Sequence, residues 1–460
     1  MVIKEPHERT DGPRRWRGRR ELSSGSGRRI PSHEAIRAEF GRAGWPGAEH
    51  LLPGRRVTGR RVSGGDARLG CVDNPFRYGD IVEGQYFTNR FQELAELKGD
   101  LQSGQNVIVI SPRRFGKSSL VKRALREVRS SVLSTYIDLG EVSTKQRLVE
   151  VMAQRMHEDL ETRSAAARRK LADVIRSLHP NLRYTVDDTG ARWSLHPTVG
   201  KAGAKDVDDA LAALLTLPAT VARQRGKRVA LVLDEFQECV EIDENLPRVM
   251  RSIFQHQGDV CHVFLGSKQH LMKRVFNDKN QPMYRIGKVM LLNPIERKEW
   301  QKFLPERCRA TAVEVQSEAV ETLLDLSECL PYETQQLAHF AWNIAFPRDR
   351  LMNEGVVWEA WARVLAAENI RYRDIWAATG LTSTAKGILR AVAAGVRGGF
   401  YSTEVALQWQ LGSHAATTRA LEALLEAEHL ADDQLPGTRS RERSFRIPDP
   451  IFRAWIRNQT

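Results

Sequence analysis

Ser111-Pro-Arg-Arg-Phe-Gly-Lys-Ser118 follows the run Asn106 to Ile110 and leads into an amphipathic stretch, Leu120 to Val128. Strand, tight loop and helix in that order make the setting in which a phosphate-binding loop works. The loop's backbone N–H groups and the helix N-terminus are unpaired donors at a positive dipole end, so they favour an anion. Lys117 would add a point charge on the terminal phosphates, and the Ser118 hydroxyl would ligate Mg²⁺. Of the pattern Gly-x-x-x-x-Gly-Lys-Ser/Thr, only the first position departs, with Ser111 in place of glycine. The residues assigned to ATP are therefore Ser111, Pro112, Arg113, Arg114, Phe115, Gly116, Lys117, Ser118 and Ser119. Arg114 would contact phosphate or pair with a carboxylate.

A second motif stands downstream, Arg228-Val-Ala-Leu-Val-Leu-Asp-Glu-Phe236. Consecutive apolar residues followed by two carboxylates suit a buried parallel strand that ends in a site. Asp234 would hold Mg²⁺ through water, and Glu235 would polarise the attacking water. Two acids at a strand end also suit a helix N-cap; the phosphate loop upstream favours the catalytic reading, because each motif requires the other.

The chain has 460 residues, enough for about three domains at ~150 residues each. No stretch approaches the ~20 apolar residues of a membrane span. The first 30 residues are rich in Arg and Gly and carry no secretory apolar segment. Five scattered cysteines, without a C-x-x-C pair, read as reduced thiols of a cytoplasmic protein. Twelve histidines show no ligand spacing, so no metal beyond Mg²⁺ is expected. The net charge is +13, and residues 1–70 supply much of it, with 16 Lys/Arg against 8 Asp/Glu. Residues 1–73 read as a basic, disordered extension that would touch nucleic acid or stay solvated.

Order is expected from Asn74. An amphipathic helix ends near Ser103, the first strand and loop follow, and Ser131 to Leu139 reads as the second strand. Helices follow over Ser143 to Leu160 and Ala165 to Leu178. Residues 182–195 read as a β-hairpin insertion, because Asp-Asp-Thr-Gly separates two alternating runs. Asp206 to Gln224 is helical and feeds the acidic-tipped strand. Val260 to Gly266 is the next strand, with Ser267 at its end as the sensor of phosphate or water. Val289 to Leu292 is a further short strand. Strands alternating with helices predict a parallel sheet with its ligand at the carboxyl ends of the strands. Residues 296–372 read as all helix. Residues 381–460 read as three helices and a hairpin, the layout of a winged helix-turn-helix.

Taken together, Asn74-Pro-Phe-Arg-Tyr-Gly, the loop, Leu233-Asp-Glu-Phe-Gln237, Gly266-Ser267 and Leu292-Asn-Pro-Ile295 resemble the archaeal-type ATPases. These are P-loop proteins near the STAND and origin-recognition branches of the AAA+ superclass. The likeness runs over residues 74–460. It implies an α/β P-loop NTPase core over 74–295, an all-helical lid over 296–372 and a winged helix-turn-helix over 381–460. In that family Ser-Pro-Arg-Arg commonly stands where the first loop glycine would be. Two departures are visible. The Gly-Arg-x-x-Glu box appears as Asn89-Arg90-Phe-Gln-Glu93, and the lid's Gly-x-Pro as Cys329-Leu-Pro331.

The leading functional expectation is an ATP-binding and ATP-hydrolysing switch, with Lys117, Glu235 and Ser267 in the chemistry. Ser118 and Asp234 would hold Mg²⁺. Arg285, with Arg274 the other candidate, would be the arginine finger that phosphoryl transfer usually needs. A finger supplied in trans implies a homo-oligomer. The winged helix would contact DNA or a protein. Its presumed recognition helix, Ser413 to Leu430, is acidic, so DNA would meet the wing through Arg439, Arg441 and Arg443. A DNA-binding regulator or loader that uses ATP for assembly on DNA is an alternative. A non-catalytic module that holds nucleotide structurally is another.

Overall fold

The computed structural model describes residues 72–82, 84–88, 90–160, 182–187, 190–195, 204–378, 380–432 and 443–459. The basic extension and the helix expected over Ala165 to Leu178 lie outside them. Among the described residues no helix is long and apolar enough to cross a membrane.

Chain order in the nucleotide core is α1 (Phe91–Ser103), β1 (Val107–Ile110), α2 (Lys117–Val128), β2 (Val132–Asp138) and α3 (Lys145–Asp159). The hairpin β3 (Leu182–Asp187) and β4 (Gly190–Leu195) comes next, then α4 (Ala204–Arg225) and β5 (Arg228–Asp234). A short α5 (Cys239–Ile242), α6 (Leu246–Phe254), β6 (Val260–Gly266), α7 (Gln269–Asn277) and β7 (Lys288–Leu291) complete it. Five strands form one parallel sheet in the order β2-β5-β6-β1-β7. The expected hairpin forms its own antiparallel pair outside that sheet.

Strand alternation explains how the sheet is covered on both sides. Ile108 and Ile110 join Ile137, Leu231, Leu233 and Phe264 in one core, against α3, α4 and α6. Val107 and Val109 join Val232, Val263 and Leu265 in another, against α1 and α2. Helices on both faces leave only the strand ends open, so a ligand must enter there. Because β5 and β6 lie between β1 and β2, the ends of β1, β5 and β6 stand side by side.

The remainder is helical: α8 (Arg297–Arg309), α9 (Ser317–Ser327), α10 (Pro331–Ala345) and α11 (Glu354–Ala377). One detail differs from the all-helix expectation. Glu314–Val315 (β8) and Leu351–Met352 (β9) pair in parallel, tying the starts of α9 and α11 together. Then come α12 (Ser383–Ala393), α13 (Thr403–Gln408), α14 (His414–Glu426), the antiparallel pair β10 (Ala431–Asp432) and β11 (Phe445–Arg446), and α15 (Pro450–Arg457). This is the winged helix-turn-helix layout. Ser402 and Ser413 cap α13 and α14, accepting from the N–H of Val405 and Ala416. One hydrophobic core runs from Trp300 and Leu337 in the lid through Tyr372 to Ile388, Leu424 and Trp455. Packing therefore shows no seam between the lid and the C-terminal helices.

Gly387 marks the tightest approach in this C-terminal part. A Cβ there would stand 2.5 Å from the carbonyl oxygen of Trp409, which is backbone and cannot step aside. Helix propensity alone favours alanine over glycine by about 1 kcal/mol. We expect Gly387→Ala to lower the thermal midpoint instead, because overpacking costs about 1–3 kcal/mol. A higher midpoint by calorimetry would show that the α12 contact is loose.

Candidate functional site

The phosphate loop starts at Ser111, fully buried, whose N–H donates to the Gly266 carbonyl. Its φ is not positive, so this first position does not require glycine. Gly116 does: it caps α2 at φ +81, where a side chain is strained although nothing crowds a Cβ. Arg114, at φ 69, is left-handed as well. Glu235 is a third case at φ 49. Each such non-glycine residue costs about 1–3 kcal/mol, a strain that clusters at functional sites.

The two sequence motifs meet. Ser118 Oγ donates to Asp234 Oδ2 at 2.9 Å, and the Glu235 N–H donates to Asp234 Oδ1 at 2.9 Å. The Tyr136 hydroxyl, from β2, also donates to Asp234 Oδ2. Lys117 Nζ lies 3.5 Å from Glu235 Oε1. Ser267 Oγ donates to Glu235 Oε2 at 2.7 Å, and its N–H reaches the same oxygen at 3.3 Å. Burial raises the Glu235 pKa, but Lys117 and the bonds from Gln237 and Ser267 outweigh it and hold the carboxyl below its usual value. Glu235 is thus an ionised acceptor at neutral pH. Asp138, beside Asp234 in register, goes the other way: burial raises it, and Asp234 and Glu235 add to that.

A cavity of about 340 Å³ adjoins the loop. Phe115, Gly116 and Ser119 line it on the loop's side, Tyr78 and Tyr86 from the segment before α1, and Trp300, Tyr332 and Gln335 from the lid. Ser119 Oγ accepts the Val82 N–H at 3.0 Å, tying that segment to the loop. Arg90 donates to the carbonyls of Phe115 at 3.0 Å and Asn293 at 2.9 Å. It is buried and braces the loop from behind, even though the box it belongs to lacks its glycine.

Both loop arginines meet acids of the C-terminal half. Arg113 Nε lies 3.3 Å from Glu428 Oε2. Arg114 Nη1 is 3.8 Å from Asp449 Oδ2 and 3.9 Å from Glu333 Oε1, with its guanidinium over the Tyr332 ring at 4.3 Å. Asp449 also accepts from Tyr372 Oη and Arg371 and caps α15. Glu333 is 5 % exposed. Burial first, then Asp449, pushes its pKa up to about 8. Glu333 is thus largely uncharged at neutral pH, and of the two acids Asp449 lies nearer to Arg114.

The structure brings Lys117, Ser118, Asp234, Glu235 and Ser267 together. Arg285 does not join them: it is exposed, left-handed at φ 54, and stacks its guanidinium on Tyr284 at 5.2 Å. Arg274 is also exposed. Arg439 and Arg441 lie outside the described residues. Arg443 is described, and its charge is met by Asp432 at 2.8 Å. The residue in place of the lid glycine, Cys329, sits at φ 57, a conformation that favours glycine; Pro331 two residues on opens α10 and lines the cavity. Tyr136, Glu333, Glu428 and Asp449 were not read from the sequence as site residues, whereas Arg90 was visible there as part of its box. For Tyr136 there was a signal: Ser134, Tyr136 and Asp138 alternate as a polar face on a strand of a parallel sheet, whose strands are otherwise apolar.

The family described as an ATPase domain predominantly from Archaea matches residues 87–337, more than half of the chain. A Walker-type ATPase of Pyrococcus abyssi has a similar fold: TM-score 0.53, 15 % identity, 81 % of this chain and 97 % of that one covered. The ORC2 protein of Aeropyrum pernix, solved in ADPNP–ADP complexes, gives 0.51 and 15 %, with 83 % and 98 % covered. No curated protein matches.

Glu333 makes a pH prediction. Its folded pKa of about 8 lies above the ordinary value of 4.5. The stability it contributes is fully present below the unfolded value and is lost as pH rises through the folded one. Between about pH 5 and about pH 8 the folded chain holds about one more proton at this group than the unfolded chain. Thermal midpoints measured across that window should fall less steeply for Glu333→Gln than for the parent. Equal slopes would mean that Glu333 ionises in the fold.

Proposed function

This chain belongs to the family of ATPase domains found predominantly in Archaea, and we propose that it is an ATP-hydrolysing switch whose lid and winged helix respond to the nucleotide. Lys117 would neutralise the terminal phosphates, and the loop N–H groups would cradle them. Ser118 and Asp234 suit Mg²⁺: a hydroxyl and a carboxylate oxygen 2.9 Å apart are the hard donors that ion takes. When bound, it would offset charge on the phosphates. Glu235 would orient the attacking water and accept its proton, with Ser267 holding the carboxylate in place. The aromatic cavity beside Gly116 would take the base and sugar of ATP or ADP.

One observation carries the switch. Arg113 and Arg114 lie within the phosphate loop, yet their charges are engaged by Glu428 and Asp449 of the C-terminal domain and approach Glu333 of the lid. A triphosphate on the loop competes with those acids for the same guanidiniums. Filling the loop would then loosen the winged helix, and hydrolysis would restore it. The freed domain would meet DNA or a protein; for DNA the wing arginines Arg439, Arg441 and Arg443 are the candidates, with Arg443 first leaving Asp432. Arg285 would serve as a finger only toward a neighbouring copy, in a homo-oligomer.

Lys117→Ala should lose tight ATP binding, whereas Glu235→Gln should keep it and lower turnover by about 10²-fold or more. Normal turnover in Glu235→Gln would remove that residue from the chemistry. For the switch, hydrogen–deuterium exchange of the α15 amides would be followed in Glu235→Gln. Exchange should speed up with ATP, and Glu428→Gln should raise the nucleotide-free rate. Identical exchange with and without ATP would refute the switch.

A further inference from the structure

The phosphate-site reading assigns Asp234 to the cation but leaves open what fixes the carboxylate. Its two oxygens have three donors. Oδ1 takes the Glu235 N–H, and Oδ2 takes both Ser118 Oγ and the Tyr136 hydroxyl. Glu235 is Asp234's own neighbour, and Ser118 would turn toward a ligand. Tyr136 alone comes from an independent, rigid element, β2, where it stands in register with Val232 of the strand that bears Asp234.

The tyrosine is itself well fixed. Its backbone N–H donates to Asp159 Oδ2 at 3.1 Å, and the Lys122 ammonium lies over its ring at 4.9 Å. Its hydroxyl is aimed at Asp234 Oδ2. Asp234 is 5 % exposed, so a misoriented carboxylate could not be rescued cheaply by bulk water.

We propose that Tyr136 is a positioning residue for the cation site: its hydroxyl holds the Asp234 carboxylate in the orientation that receives a divalent ion with nucleotide. This rests on the phosphate-loop reading above and adds a member that the loop and acid motifs do not contain. Partners that orient metal-binding carboxylates usually matter by about 10–100-fold in metal affinity.

The test uses Tyr136→Phe in the full chain, which keeps the ring and removes only the hydroxyl. ADP affinity would be measured by calorimetric titration in EDTA and in MgCl₂. Mn²⁺ binding to the ADP complex would be read independently by electron paramagnetic resonance. Metal-free ADP affinity should stay within about 2-fold, while the gain from Mg²⁺ and the Mn²⁺ affinity should fall about 10–100-fold. Tyr136→Ala should lose the same metal gain and also lower the thermal midpoint. An unchanged metal gain in Tyr136→Phe overturns the proposal, and so does an equal loss with and without metal. A parent protein that binds ADP with no metal gain overturns the cation-site reading itself, and the tyrosine's role with it.

Discussion

A single hydrogen bond of 2.9 Å joins Ser118 to Asp234 across 116 residues of chain. The contacts among the loop, the β5 acids and Ser267 are arranged around it. The bond is possible because a parallel sheet sends its strand ends to one edge and because β5 and β6 lie between β1 and β2. The loop after β1, the acids after β5 and Ser267 after β6 then share one small volume. Lys117 faces Glu235, and Ser267 holds Glu235 from the other strand. None of these contacts is strong alone. Their value lies in prior placement, since the half-buried Glu235 carboxylate, with Lys117, Gln237 and Ser267 engaged on it, is already oriented before a substrate arrives.

That core was legible in the chain because it is written in short-range pattern. A buried strand, a glycine that must be left-handed and two acids after an apolar run each follow from local chemistry. Ser111 in place of glycine looked like a defect and is not one, since its backbone does not need positive φ. The hairpin over residues 182–195 was legible for the same reason, through its turn residues.

What escaped the sequence is long-range. Glu428 and Asp449 look like ordinary helix-end acids, one near the end of α14 and one capping α15. Only the fold brings them more than 300 residues back to Arg113 and Arg114. Glu333 reads as a surface glutamate at the start of α10 and is buried. Where the Arg285 guanidinium lies, exposed and over Tyr284, could likewise not be read from its distance along the chain. The short parallel pair β8–β9 was invisible because two-residue strands carry no periodicity.

The continuous apolar packing from Trp300 to Trp455 has a consequence for how such chains diversify. A lid and a winged helix with separate interiors could be shuffled independently. Here a crossover between residues 372 and 381 would cut through one interior and leave two half-filled faces. A break near residue 295 would open the same interior, because Phe76 from before α1 packs on Phe303 within it; lid and C-terminal helices can be exchanged only together with that segment.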